Sequence, residues 1–325
     1  MKVIKLAGAV LILAVALSFA GCQSSETEIT TEDQNVPEET TIPSVESDPP
    51  TEVSDEPSAD PTTSAPAPEK YDLADVVENS KGKYECTYAG EKHKFFVYLP
   101  EKITEDMPLI IMLHGYGMSP ETFHVQTYMD KEACEKGYAV IYAGSVEAGW
   151  NGGMGDYKRD DVGFLEALAR YAGEEFGCSS ENVFAAGFSN GAIMTQRLAS
   201  ESDVFKAVAC IAGMMTKEIW ENKKETADIS ILDVYGTKDE ILTNPAFMPI
   251  EDVMKYWIDA NGLTETEEVS LSEKSILTKA TSPSGSNEVW TVVIDKGGHS
   301  WPQKALAGFD ANPLILEFFD SCKNK

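Results

Sequence analysis

The chain has 325 residues and a formal net charge of −28. Such an excess of acid argues against a nucleic-acid partner, which needs a basic footprint. The length accommodates one large α/β domain with sequence to spare.

The first segment reads as a targeting signal. Lys2 and Lys5 form a positive n-region, and Leu6–Phe19 is an apolar stretch too short for a comfortable membrane span. Small residues Ala20 and Gly21 precede Cys22. The pattern resembles a bacterial lipobox, which implies cleavage before Cys22 and lipidation of its thiol. Phe19 stands where that pattern usually has leucine. An ordinary signal peptide is the alternative, and export is expected in both cases. Residues 22–70 are rich in Ser, Thr, Pro, Glu and Asp. A segment of that composition cannot bury enough apolar surface to offset chain entropy, so a disordered acidic tether is expected. The folded domain is expected over 71–325, on the outer face of the cell membrane.

Within that domain, Lys83–Tyr88 and His93–Leu99 read as two strands around the turn Ala89-Gly90-Glu91. The continuous apolar run Pro108–Leu113 suits a strand buried on both faces, and it ends at His114-Gly115-Tyr116-Gly117. Ser119-Pro120-Glu121 is a helix start, with the helix expected to run to about Lys136 and stop at Gly137. Tyr138–Tyr142 is the next strand. Ala143–Tyr157 is glycine-rich, irregular and carries Trp150. Asp160–Phe176 has helical apolar spacing, and the pair Asp160-Asp161 suits a helix start, where the dipole favours acids.

Strands are expected at Asn182–Ala186, Lys206–Ala212, Ile229–Tyr235 and Glu288–Ile294, and helices at Pro249–Asn261 and around Leu314–Phe319. Strands alternating with helices predict a mostly parallel sheet covered on both faces, with the site at the carboxyl ends of its strands.

The chemistry centres on Gly187-Phe188-Ser189-Asn190-Gly191, between a strand and a helix. Strand, G-x-S-x-G, helix is the layout of a nucleophile elbow. A serine hydroxyl is a weak nucleophile unless a base takes its proton, and histidine is the natural base near neutral pH. Of the four histidines, His93 and His124 read as surface or core residues and His114 as a loop support. His299 follows the last strand behind paired glycines, Gly297-Gly298, and is the candidate base. Asp239, past the end of strand Ile229–Tyr235, gives the chain order Ser…Asp…His of α/β-hydrolases. Glu240 is the second choice of acid; Asp233 lies inside its strand, and Asp295 lies too near His299 along the chain. Backbone N–H groups of Asn190 and Tyr116 are the candidate oxyanion donors.

Cys86, Cys134, Cys178, Cys210 and Cys322 remain once Cys22 is set aside. An odd number leaves at least one unpaired within the monomer. No His/Cys spacing suggests a metal, and the chemistry calls for no cofactor.

Together LHGYG, WNGG, DDVGFLEAL, GFSNGAIMT, YGTKD and GGHSWP, from about Tyr84 onward, resemble the exported esterases of the feruloyl-esterase, acetyl-xylan-esterase and polyhydroxybutyrate-depolymerase superfamily. The resemblance implies an α/β-hydrolase fold without a large lid domain, and a triad of Ser189, Asp239 and His299. It places Tyr116 and Asn190 at the oxyanion hole and Trp150 and Trp301 on loops bordering the acyl pocket. Trp150 reads equally well as packing. The substrate it implies is a carboxylic ester on plant polysaccharide, with a polyester or a short peptide as alternatives. A carbohydrate-binding lipoprotein on a hydrolase scaffold is the rival class.

Overall fold

An apolar run with no polar alternation is stable as a strand only when both of its faces are covered. The computed structural model, which describes residues 72–154, 158–283 and 285–323, shows this at Pro108–Leu113. Leu109, Ile111 and Leu113 point into one apolar core, and Ile110 and Met112 into the other. The expected signal peptide, Cys22 and the tether lie outside the described residues.

In chain order the strands are β1 (Ala74–Ser80), β2 (Lys83–Tyr88), β3 (Glu91–Tyr98), β4 (Met107–Leu113), β5 (Ala139–Ala143), β6 (Cys178–Phe188), β7 (Ala207–Ile211), β8 (Ser230–Gly236), β9 (Glu265–Ser270), β10 (Ser275–Thr281) and β11 (Val289–Ile294). The helices are α1 (Pro120–Thr127), α2 (Met129–Glu135), α3 (Asp161–Phe176), α4 (Asn190–Glu201), α5 (Lys217–Asn222), α6 (Ile250–Ala260), α7 (Lys304–Ala307) and α8 (Ala311–Cys322).

The described strands form one sheet in the order β1-β2-β3-β5-β4-β6-β7-β8-β11-β10-β9. Its centre, from β5 to β11, is parallel throughout. Both margins are antiparallel, so the sheet is mixed. Helices α3, α4 and α6 cover one face through Phe164, Leu168, Met194 and Trp257. Helices α1, α2 and α8 cover the other through Phe123, Met129, Phe318 and Phe319. The described residues belong to one unit, Pro66–Lys325, with no separate lid set apart from it.

Several elements depart from the sequence expectations. The single helix expected from Ser119 to about Lys136 is broken at Tyr128, whose backbone is left-handed (φ 45°, ψ 35°). The cause is tertiary: the buried Tyr142 hydroxyl accepts from the Met129 N–H at 2.9 Å and lies 3.0 Å from Thr127 Oγ1, which fixes the chain reversal there. Strand β6 begins at Cys178, four residues early, and its pairing with β4 carries an irregularity before Leu109. Strands β1, β9 and β10 and the short helices α5 and α7 were not expected. β1 and β9 are exposed margins whose sequences lack the apolar alternation by which a half-buried strand is read.

Candidate active site

Ser189, the candidate nucleophile, stands on a strained turn. It has φ 55° and ψ −116°, a conformation L residues rarely adopt, between the last residue of β6 and the first of α4. That turn brings two backbones together. A Cβ on Gly187 would collide with the Gly191 carbonyl, and one on Gly191 with the Leu113 carbonyl. The two glycines therefore permit the approach of β6, β4 and α4 that thrusts the serine out of the sheet.

His299 and Asp239 arrive from adjacent parallel strands. The loop after β8 and the loop after β11 are tied by Lys238 N–H to Gly297 O (2.8 Å), Thr237 N–H to Ile294 O (3.0 Å) and Lys296 N–H to Thr237 Oγ1 (2.8 Å). A Cβ on Gly236 would strike the Gly297 backbone, so these loops also depend on glycine for contact. Asp239 is buried; Oδ1 accepts from Ile241 N–H at 3.0 Å, and Oδ2 lies 2.8 Å from His299 Nδ1. His299 Nε2 lies 2.8 Å from Ser189 Oγ. A carboxylate at Nδ1 places the ring proton there, and Nε2 then faces the serine hydroxyl as an acceptor. Phe188 lies beside the imidazole, with ring centroids 5.2 Å apart.

The Tyr116 and Asn190 N–H groups donate to no acceptor among the described residues. Their neighbours are engaged: Gly117 N–H donates to Ala148 O at 2.6 Å, and Met118 N–H to Gly115 O at 3.1 Å. Asn190 is the first residue of α4, where an N–H has no intrahelical partner and the dipole end is positive. The arrangement can deliver a serine alkoxide equivalent and receive a developing oxyanion.

A brace behind this site is not legible in the motifs. The Asn190 side chain grips the Trp150 backbone from both sides: Oδ1 accepts from Trp150 N–H at 2.5 Å and Nδ2 donates to Trp150 O at 3.1 Å. The Trp150 indole in turn donates to His114 O at 3.0 Å, at the root of the loop that carries Tyr116. Arg159 holds the adjoining Gly149 O (2.6 Å) and Arg197 holds Asn151 O (2.9 Å). Asp161, buried and with its carboxyl pushed up by desolvation, accepts from Asn151 N–H at 2.6 Å. The sequence assigned the Asp160-Asp161 pair to a helix start. Both stand there: Asp160 caps α3 through Gly163 N–H, and Asp161, the acid of its first turn, also holds the loop at Asn151 N–H.

This corrects the expected role of both tryptophans. Trp150 is 0% exposed and Trp301 5%, so neither ring is presented to a substrate. Trp150 braces the loop that carries Tyr116, the candidate oxyanion donor. Trp301 packs edge-on against Phe123 (5.5 Å) and Phe188 (6.4 Å), beneath the histidine loop. The large aromatic exposed next to the serine is instead Tyr116, at 65%.

The other histidines are structural. Burial lowers the His114 pKa; Nδ1 lies 2.9 Å from Gly115 O, and Nε2 accepts from Ser145 N–H at 3.2 Å. His93 stacks on Phe164 at 3.7 Å, and desolvation lowers its pKa to about 4. His124 stacks on Tyr98 and pairs with Asp130 at 3.0 Å. Of the rival acids, Glu240 and Asp295 are exposed, and Asp233 is wholly buried in β8 against Gln196. The five described cysteines are free. Among the described residues no group of three or more His, Cys, Asp and Glu side chains is placed to hold a metal ion.

Fold and site define the class: this is an α/β-hydrolase esterase, a hydrolase acting on ester bonds. Residues 96–284 match the BD-FAE family model, and the chain belongs to that family. It is similar to NocK of Nocardia uniformis subsp. tsuyamanensis, a protein named as an esterase, at 27% identity over 231 residues, 62% of this chain and 67% of NocK. It is also similar to feruloyl esterase B of Thermothelomyces thermophilus, at 28% identity over 132 residues, 37% of this chain. The chain thus spans 44% of the length of that relative. The solved acetyl xylan esterase from Aspergillus awamori aligns with a TM-score of 0.56 at 15% identity, over 70% of this chain and 94% of that one, a likeness of fold.

Proposed function

We propose that this chain is an exported serine esterase, lipid-anchored through Cys22, that removes feruloyl or acetyl groups from plant polysaccharide by way of an acyl-enzyme. The observation that carries the mechanism is the unbroken chain from Asp239 Oδ2 through His299 to Ser189 Oγ, each link 2.8 Å, beside two unengaged N–H groups. Ser189 attacks the ester carbonyl carbon as its proton passes to His299 Nε2. The carbonyl oxygen becomes an oxyanion held by the Tyr116 and Asn190 N–H groups. As the carbon–oxygen ester bond breaks, His299 returns the proton to the departing alcohol. Water, deprotonated by the same histidine, then attacks the acyl-serine and releases the acid. The lipobox-like Cys22 supports the anchor, and the feruloyl and acetyl xylan esterase likenesses support the substrate class.

The rival, a carbohydrate-binding scaffold, has no use for a serine held at positive φ against an engaged histidine. Labelling with a fluorophosphonate probe separates the two. The wild type should label at one site, and Ser189→Ala should not label. In the same variant, turnover of p-nitrophenyl acetate should fall by at least ~10³-fold while the domain stays folded. Retained turnover in Ser189→Ala would reject the mechanism.

A further inference from the structure

We propose that the Tyr116 side chain is the specificity-determining element of this site: the face on which a flat aromatic acyl group lies. The inference rests on the esterase reading above and goes on to say how such a site would choose its acyl group.

An isolated exposed aromatic is ordinary on a protein surface. Tyr116 differs in its position. Its N–H faces the place where the carbonyl oxygen develops charge, so its side chain must border the substrate. The ring is 65% exposed. Its Cδ2 lies only 2.9 Å from where a Cβ on Gly149 would stand, and Asn190 Oδ1 crowds the same point at 2.6 Å. The ring therefore rests against the Gly149–Asn190 corner, a seat that exists because residue 149 has no side chain. That corner does not yield readily, since Gly149 O is held by Arg159 and Asn190 grips Trp150.

Phe188, beside His299 and under Gly115, is buried, whereas the Tyr116 ring is exposed. In a tetrahedral adduct the leaving oxygen points to His299 and the oxyanion to the two N–H groups. The acyl substituent takes the remaining direction, and the exposed Tyr116 ring, carried by the residue whose N–H meets the oxyanion, is the apolar face proposed to receive it. An acetyl group ends one bond beyond the carbonyl carbon and leaves most of the ring in water. A planar hydroxycinnamoyl-type group extends across it, which removes apolar surface from water and allows offset stacking. Trp150 and Trp301 are too deeply buried to serve this purpose.

The test compares kcat/KM for methyl ferulate and ethyl acetate in the wild type, Tyr116→Ala, Tyr116→Phe and Tyr116→Leu, and reads the aromatic-to-acetyl ratio. Because the side chain is exposed, circular dichroism should show all three variants folded. Tyr116→Ala should lower the ratio by about tenfold or more, Tyr116→Leu by an intermediate factor, and Tyr116→Phe should hold it within about twofold. An unchanged ratio in Tyr116→Ala, or an equal fall in Tyr116→Phe, overturns the proposal and leaves the esterase reading standing. A wild type that labels with fluorophosphonate but turns over acetate alone also overturns it. A wild type that neither labels nor turns over either ester overturns the esterase reading and this proposal with it.

Discussion

Trp150→Phe separates a strut from a core residue. Phenylalanine keeps most of the apolar filling but deletes the indole N–H that reaches His114 O at 3.0 Å. A buried acceptor stripped of its donor costs about 1–3 kcal/mol. The smaller ring adds a cavity contribution, so a loss of about 2–4 kcal/mol in unfolding free energy is expected. The functional effect is a separate quantity. Removing a whole oxyanion donor costs roughly 10²–10³ in kcat. Trp150 does not touch the oxyanion. It holds the loop that carries the Tyr116 N–H, while the Gly117–Ala148 bond continues to hold that loop from the other side. A partial loss follows, about 10- to 100-fold in kcat, or ~1.4–2.7 kcal/mol of transition-state stabilisation. KM should move within about twofold, because the ground-state carbonyl uses those donors less.

The assay pairs steady-state kinetics on p-nitrophenyl acetate with urea denaturation and the affinity of a boronic acid, whose oxygen occupies the oxyanion position. The boronate affinity should fall in step with kcat. Asn190→Ala, which keeps the backbone donor and removes the grip on Trp150, should mimic the variant. The double variant should cost less than the sum, since both act through one brace. Full kcat and unchanged boronate affinity in a merely destabilised Trp150→Phe would refute the strut.

Two further outcomes follow from single contacts. Asp239→Asn places an amide against His299 Nδ1 and disfavours the tautomer the serine needs, so kcat should fall by roughly 10³–10⁴-fold, whereas Glu240→Gln, exposed one residue on, should leave it within about twofold. Desolvation pushes the wholly buried Asp233 carboxyl up to about 8, against about 3.9 in an unfolded chain. Between those values the unfolded chain has released a proton that the folded chain keeps. This group therefore makes stability fall as pH rises, by about 1.4 kcal/mol per unit, until the slope ends near pH 8. Urea midpoints from pH 5 to 8 should show a shallower decline for Asp233→Asn than for the wild type, and parallel declines would show that Asp233 carries no such shift.

How much of this was legible in the chain depends on how far each cause lies along it. Residues 187–191 carry their own reason for being an elbow, because glycine spacing and a strand-to-helix switch act within a few residues. His299 and Asp239 were legible one step further out, since strand ends in a parallel sheet are brought to one edge by topology alone. Tyr128 breaks a helix that its local sequence would continue, because a hydroxyl from Tyr142 on another element satisfies the backbone at the break. Trp150 shows the same limit at the site itself. A tryptophan on a glycine-rich loop reads as a pocket wall until the loop is seen clamped by Asn190, Arg159, Arg197 and Asp161, all from outside it. Once that clamp turns the indole inward, the aromatic surface left beside the serine belongs to Tyr116, a residue the sequence had marked for its backbone alone. The motif positions bring the candidate reacting groups to one strand edge. The contacts between motifs decide which side chains the substrate meets.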